Sequence, residues 1–505
     1  MTAEAGAGGG RLFAFGWDGA DWTVIEAAWK RGRLPILRRL AERGERGTLL
    51  STVPPMTPQA WTSFVTASDP GEHGIFGFTV SPDYRSLPVF GGSRRIPTMF
   101  KGLDTLGVPT AMVTVPWTFP AEDLEHGACV PGWDDPTETF ESTRPRALAA
   151  ELAAAVPRVP RRSSVRLAPA RTVLADQAET IELRERIARL VISRTDPRAF
   201  LLVFSETDHA SHRLWTGGAP PTGLIDCYEQ VDRAMGRMIE EHVRPEDTVL
   251  VVSDHGSSPI HTYVNLGPVL VAGGFLQARA GSVSPRRGLV KRAFERLPMS
   301  AQVAVQKRRR GGPPGVPMRG PGRAEGVDWA ETAAFPVGSS LYAVGLCVNA
   351  RPGRPDGPVA EADTAEVRRA LIEHLGGVRD PRTGRLAFDW VRPREEVYRG
   401  PAVGLAPDVV LGEVDGFRPR PGLRERDPFS RVARGGHRAQ GIYVIDRPAD
   451  LGSTERIEGL LPKALRAAGL PLPPRGGGQG PATVHYSPQE IREIEARLRD
   501  LGYVE

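Results

Sequence analysis

Three apolar runs of this chain each lead to an aspartate. Leu12–Trp17 (LFAFGW) runs into Asp18, Phe200–Phe204 (FLLVF) towards Asp208, and Thr248–Ser253 (TVLVVS) into Asp254. Short runs of this kind read as buried strands. In an open α/β sheet the ligand crevice lies just past the carboxyl ends of the strands. If these strands are parallel neighbours, three carboxylates converge there, and their mutual repulsion would raise their pKa values unless a cation compensates. Histidines stand beside two of them. In Asp208-His209-Ala210-Ser211-His212, the aspartate and His212 are four apart, on one face of a helical turn. Asp254-His255-Gly256 sets two ligand types back to back. Carboxylate with imidazole suits zinc, and also manganese or iron.

A hydroxyl lies in Met56-Thr57-Pro58-Gln59-Ala60-Trp61. Thr57 reads as the N-cap, and Pro58 as the first residue, of a helix running through Thr66. There it faces the positive end of the helix, a favourable place for a phosphate. Taken by itself Thr57 is a cap; beside a metal it would be an activated nucleophile.

The elements that must position these residues follow a strand–helix rhythm. Ala111–Val115 and Ile442–Ile445 read as further buried strands, and Trp22–Arg43, Asp176–Ser193 and Leu224–Glu241 as amphipathic helices. The alternation predicts an α/β layered fold with a mostly parallel central sheet. Two stretches break the rhythm and read as cap insertions. Residues 136–175 are rich in Pro, Arg and Ala, with a helix over Arg146–Ala155. Residues 282–326 are basic, with a Pro/Gly-rich, mobile end. A catalytic domain over 11–470 is followed by a linker and C-terminal helix over 471–505, starting with Ser487 as cap and Pro488.

Composition narrows the function classes. Of 505 residues, 40% are hydrophobic and 25% charged, which excludes a mostly disordered chain. No run approaches the roughly 18–20 apolar residues of a membrane helix. The three cysteines, Cys129, Cys227 and Cys347, are scattered, so neither a disulfide framework nor a Cys-rich zinc module is expected. A reducing cytoplasm is the expected location. Arg286 to Arg323 holds eleven Lys/Arg and one acid, Glu295. The total of +5, less that local +10, leaves −5 elsewhere, so the basic balance does not mark the whole chain as a nucleic-acid binder.

The ordered motifs resemble the alkaline phosphatase superfamily, and within it the type I phosphodiesterase/nucleotide pyrophosphatase branch with its bacterial phosphohydrolase/phosphomutase members. They run Trp17-Asp18-Gly19, Thr57, His73-Gly74-Ile75, Asp208-x-x-x-His212, Ser253-Asp254-His255-Gly256 and Gly436-His437-Arg438 through Gly441-Ile442. Val264-Asn265-Leu266, Arg394–Gly400 and Ala406–Val410 also look like that branch. The resemblance implies an alkaline phosphatase-like three-layer sandwich with cap insertions and two divalent metals, zinc foremost, with manganese or iron as alternatives. Asp208, His212 and His437 would hold the first metal; Asp18, Thr57, Asp254 and His255 the second. Thr57 would also be the nucleophile that forms a phosphothreonine. His437 enters through the resemblance alone. His73 matches a family position but reads as structural, and His209 and His261 lie near the implied ligands without belonging to them.

The implied activity is cleavage of a phosphodiester or pyrophosphate bond in a small phosphorylated substrate, with no nucleic-acid partner. A phosphomonoesterase or phosphomutase with the same site is one alternative, and a non-catalytic binding protein that keeps the fold is another; none of the seven positions is missing. One departure matters. The asparagine with which nucleotide pyrophosphatases of this branch contact a phosphate oxygen has no counterpart just after Thr57, where Ala60 stands. The contact must come from elsewhere: Gln59, Asn265 or a cap arginine. Nothing around Thr57 resembles the Cys/Ser-x-Pro-x-Arg motif of sulfatases. The sequence carries no mark of oligomeric state.

Overall fold

Alternation of side chains along fully buried strands divides the core into two layers. Every residue of Leu12–Trp17 is buried, as a parallel strand covered on both faces requires. Phe13, Phe15 and Trp17 face one core layer, and Leu12 and Ala14 the other. Ala199–Phe204 and Thr248–Val252 divide the same way. Phe200, Leu202, Phe204, Val249 and Val251 join the first layer; Leu201, Val203, Leu250 and Val252 join the second. The computed structural model describes residues 10–474 apart from 81–83, 85–86, 136–138, 161–169, 280–325, 340–341, 355 and 424.

These strands belong to an eight-stranded sheet. Its order is Thr454–Arg456, Glu45–Leu50, Gln440–Ile445, Thr248–Val252, Leu12–Trp17, Ala199–Phe204, Thr110–Val115 and Ala128–Pro131. Leu12 pairs in parallel with both Ala199 and Thr248, which makes the three Asp-bearing strands immediate neighbours. Within this sheet Gln440–Ile445 alone runs antiparallel, wedged between Glu45–Leu50 and Thr248–Val252. The mostly parallel α/β architecture is thus as expected.

Helices cover both faces. Trp22–Trp29, Pro35–Arg43, Ala170–Thr195 and Thr222–His242 bury Ile25, Leu37, Ile187 and Tyr228 in the first layer. The helix Arg146–Ala155 lies there too: within the described part of the 136–175 stretch, Phe140, Leu148, Leu152 and Val156 are buried in the same layer. Thr57–Thr66, Met99–Thr105 and Ile457–Ala467 bury Trp61, Phe100 and Leu460 in the second. The single helix expected over Trp22–Arg43 is two. Leu34 takes a left-handed conformation (φ 57°), and Pro35 opens the second helix. The basic stretch up to residue 325 and the C-terminal helix at Ser487 lie outside the described residues.

Two smaller sheets extend the molecule. Ala334–Ser339, Tyr342–Val348, Val409–Leu411 and Val391–Pro393 form one; Phe417–Arg420, Gly256–Asn265 and Phe429–Arg438 form the other. Gly256–Asn265 begins one residue after His255, and Phe429–Arg438 pairs with it antiparallel, so that His437 lies opposite Ser257. That pairing carries a histidine from late in the chain to the carboxyl end of the central strands.

Candidate active site

Asp18 follows its strand directly, Asp254 stands two residues past Val252, and Asp208 lies in the first turn of the helix Glu206–Leu214. All three are buried, between 0% and 2% exposed. With the histidines they form two groups. Asp208 Oδ1 lies 3.2 Å from His212 Nε2 and 3.4 Å from His437 Nε2, and the two Nε2 atoms are 2.9 Å apart. His255 Nε2 lies 3.2 Å from Asp254 Oδ2 and 3.7 Å from Asp18 Oδ1. The rings of His255 and His437 stack at 3.8 Å and join the two groups.

The hydrogen bonds at the far side of each ring fix its tautomer. His212 Nδ1 donates to Gly435 O (2.9 Å), His437 Nδ1 to Pro55 O (2.8 Å) and His255 Nδ1 to Gly256 O (3.1 Å). A carbonyl can only accept, so each Nδ1 carries the hydrogen and each Nε2 turns a lone pair inward. Among the described residues Asp18 Oδ1 and Asp254 Oδ2 are buried and have no hydrogen-bond partner. Imidazoles oriented by backbone carbonyls, with bare carboxylate oxygens between them, are the donor set of a divalent cation. Asp208–His212–His437 and Asp18–Asp254–His255 each bring their ligand atoms within 4.8 Å of one another, so each group could hold one ion.

The electrostatics point the same way. Burial, then the charges of Asp254 and Asp208, pushes the Asp18 carboxyl well above its ordinary range. Burial, opposed by the Gly19 N–H and reinforced by Asp208, raises Asp254 to about 8. Burial lowers His437 to about 4 and, with His437 beside it, holds His255 well below its ordinary value. For Asp208 burial pushes upward, but attraction and hydrogen bonds from His212 and His437, which act when those rings carry an added proton, outweigh it and hold the carboxyl well below the usual range. Burial favours the neutral imidazoles of His255 and His437, as a cation requires, and a cation would reverse the reluctance of Asp18 and Asp254 to ionise.

Thr57 is where the expectation needs correction. It is the first residue of the helix, not its N-cap; Met56 holds that place, and no side chain caps the helix. Thr57 Oγ1 instead lies 3.3 Å from His255 Nε2, at the second group. Freed from capping, the hydroxyl stands at the positive end of a ten-residue helix that is buried throughout.

Other candidates are committed elsewhere. His73 holds Ser63 Oγ at 2.9 Å through Nε2 and accepts the Ile75 N–H through Nδ1, a structural role. His261 pairs with Thr262 Oγ1, and neither it nor His209 belongs to either group. Gln59 gives its amide nitrogen to Pro54 O, while Asn265 accepts from Arg420 and donates to Asp427 O. Sequence reasoning missed Trp61, whose Nε1 donates to Asp18 Oδ2 at 3.2 Å. Its place one turn after Thr57 was the available signal. It also missed the buried pair of Arg184 and Glu206 (2.9 Å), which fixes the start of the Asp208 helix.

The doubly covered, mostly parallel sheet is an alkaline phosphatase-like fold. The chain belongs to the type I phosphodiesterase / nucleotide pyrophosphatase family, whose model matches residues 12–420. The activity that goes with this membership is phosphoester hydrolysis. No curated protein matches the chain in sequence. Among solved structures, phosphonoacetate hydrolase from Sinorhizobium meliloti 1021 is similar at 15% identity and a TM-score of 0.57, over 91% of this chain and 95% of that one. The alkaline phosphatase PafA is similar at 12% and 0.54, over 95% and 100%. Human ectonucleotide pyrophosphatase / phosphodiesterase 5 is similar at 11% and 0.50, over 93% and 97%. At such identities the likeness is one of fold. Among the described residues no helix is long and apolar enough to cross a membrane.

Proposed function

We propose that the protein is a two-metal phosphohydrolase that cleaves a phosphodiester or pyrophosphate bond of a small phosphorylated substrate through a phosphothreonine at Thr57. Asp208, His212 and His437 would hold one ion; Asp18, Asp254, His255 and Thr57 would hold the other. Divalent cations there, zinc by the donor set, supply Lewis-acid polarisation of the phosphoryl oxygens and make a hydroxyl easier to ionise. The Thr57 oxygen attacks phosphorus, its proton passing to solvent, as the bond to the leaving oxygen breaks with its electron pair. Water then attacks the phosphothreonine, the Oγ–P bond breaks, and Thr57 regains its proton. The helix start stabilises the negative charge on the phosphoryl group throughout. Three free cysteines are in keeping with a cytoplasmic location.

The carrying observation is the Thr57 hydroxyl, released from capping and placed 3.3 Å from His255 Nε2. Thr57→Ala is expected to reduce hydrolysis of bis-p-nitrophenyl phosphate by about 10³-fold or more. Acid quench of the wild-type enzyme during turnover should leave a phosphate on the Thr57 peptide, read by mass spectrometry. Near-normal turnover in the variant would remove Thr57 from the chemistry. Faster turnover of p-nitrophenyl phosphate than of the diester would favour the monoesterase alternative.

A further inference from the structure

Beside the Asp208–His212–His437 group lies a pocket of about 40 Å³ that the scheme above leaves unused. His212 and His437 line it together with Arg418, Ser339 and Tyr342; Thr57, Asp18, Asp254 and His255 do not. Three polar atoms of these lining residues are buried and, among the described residues, have no hydrogen-bond partner: Arg418 Nε, Ser339 Oγ and Tyr342 Oη. Their residues are 5%, 3% and 6% exposed. One such group would be ordinary; three around one pocket form a ready set of donors.

A neighbour on the same strand shows what Arg418 lacks. Arg418 and Arg420 lie on one face of Phe417–Arg420, over the rings of Tyr342 (4.2 Å) and Tyr263 (4.4 Å). Arg420 is neutralised by Glu425 (2.8 Å) and donates to Asn265 Oδ1 (2.7 Å). Arg418 makes one hydrogen bond, from Nη2 to His437 O (2.9 Å), and among the described residues no ion pair. Glu413 and Asp208 attract it without reaching ion-pair distance, and a buried guanidinium that no carboxylate contacts is costly. Yet the fold makes room for it: a Cβ on Gly436 would stand 2.7 Å from Arg418 Nη2.

We propose that this pocket binds a second anionic group of the substrate, a carboxylate or a phosphate, carried on the part that departs from phosphorus. The proposal rests on the phosphoryl-transfer reading above. In-line displacement puts nucleophile and leaving group on opposite sides of phosphorus. The pocket adjoins the group that does not contain Thr57, which is the leaving side. A guanidinium with two hydroxyls matches the oxygens of either anion, and the space admits a group of a few heavy atoms.

The test is calorimetric titration of the zinc-loaded full chain with three stable P–C ligands: ethylphosphonate, 2-carboxyethylphosphonate and ethane-1,2-bisphosphonate. At least one doubly anionic ligand should bind tenfold or more tighter than ethylphosphonate, and the tighter of the two identifies the second group. Ser339→Ala and Tyr342→Phe should each cut that ratio severalfold, and Arg418→Gln should bring it close to one. Equal affinity for all three ligands, or an advantage that survives all three substitutions, overturns the proposal. If ethylphosphonate binds and no ligand shows an advantage, only this inference falls; if nothing binds, the phosphoryl site itself is wrong.

Discussion

Asp254 is the residue whose chemistry makes the sharpest claim. Its ordinary value is 3.8, and burial raises it to about 8 in the fold. The folded state therefore binds a proton that the unfolded chain releases. The sign follows: the contribution of Asp254 to stability is full below about pH 4 and is lost as pH rises towards 8. His255 and His437, both lowered by burial, act oppositely, but their effect is complete once pH exceeds 6.5. Metal-free protein should accordingly melt at a lower temperature at pH 8.5 than at pH 6.5, and zinc should raise the Tm more at the higher pH. A metal-free Tm that climbs over this interval would contradict the assignment. Trp61→Phe keeps most of the packing but removes the donor to Asp18 Oδ2. Metal affinity should fall by about tenfold or more with the fold intact, as expected for loss of a hydrogen bond to a ligand. Unchanged affinity in a competition titration would mean that the bond does not orient Asp18.

At the scale of elements, the site depends on how closely the helix Glu206–Leu214 approaches the strand Phe429–Arg438. Gly435 permits that approach, because an added Cβ would overlap the Ser211 carbonyl oxygen, and its own carbonyl orients His212. Gly435→Ala should pull His212 away from His437 and, on the two-ion proposal, reduce bound metal from two ions to one, measured by elemental mass spectrometry; metal content equal to that of the unaltered protein would refute it. Arg184→Met leaves Glu206 buried without its partner, both side chains being 2% exposed. A loss of about 3–5 kcal/mol in urea denaturation is expected, and a loss below 1 kcal/mol would show that the pair matters little.

Legibility from sequence also differed by element. The strand Leu12–Trp17 was readable because both of its faces are buried, so the whole run is apolar. Asp18 and Asp254 were then readable by position alone. The strand Phe429–Arg438 was not, since its first residues are half-buried or exposed and give no apolar run. For that reason His437 could be found only through resemblance. The break at Leu34 was signalled by Gly32 and Pro35, but the apolar spacing on either side runs on through it. Ser339, Tyr342 and Arg418 come from three strands in two sheets, and no spacing along the chain could have joined them.

For the molecule as a whole, the order in which the chain is made is at odds with the order in which the sheet is laid out. Gln440–Ile445 fills a slot between strands that begin at residues 45 and 248. During synthesis the flanks of Glu45–Leu50 and Thr248–Val252 must wait, unpaired, for a segment nearly two hundred residues further on than the second of them. Such open edges attract other chains. Ribosome-bound chains that stop before residue 440 should be cleaved readily by protease and fail to retain zinc, while chains extended past residue 470 and clear of the exit tunnel should resist and retain it. Nascent-chain protection that appears much earlier would show that the sheet closes without its antiparallel member. The gap also gives the growing chain a hazardous interval, in which a trigger factor or similar holding chaperone would be most useful between the emergence of Val252 and that of Ile445.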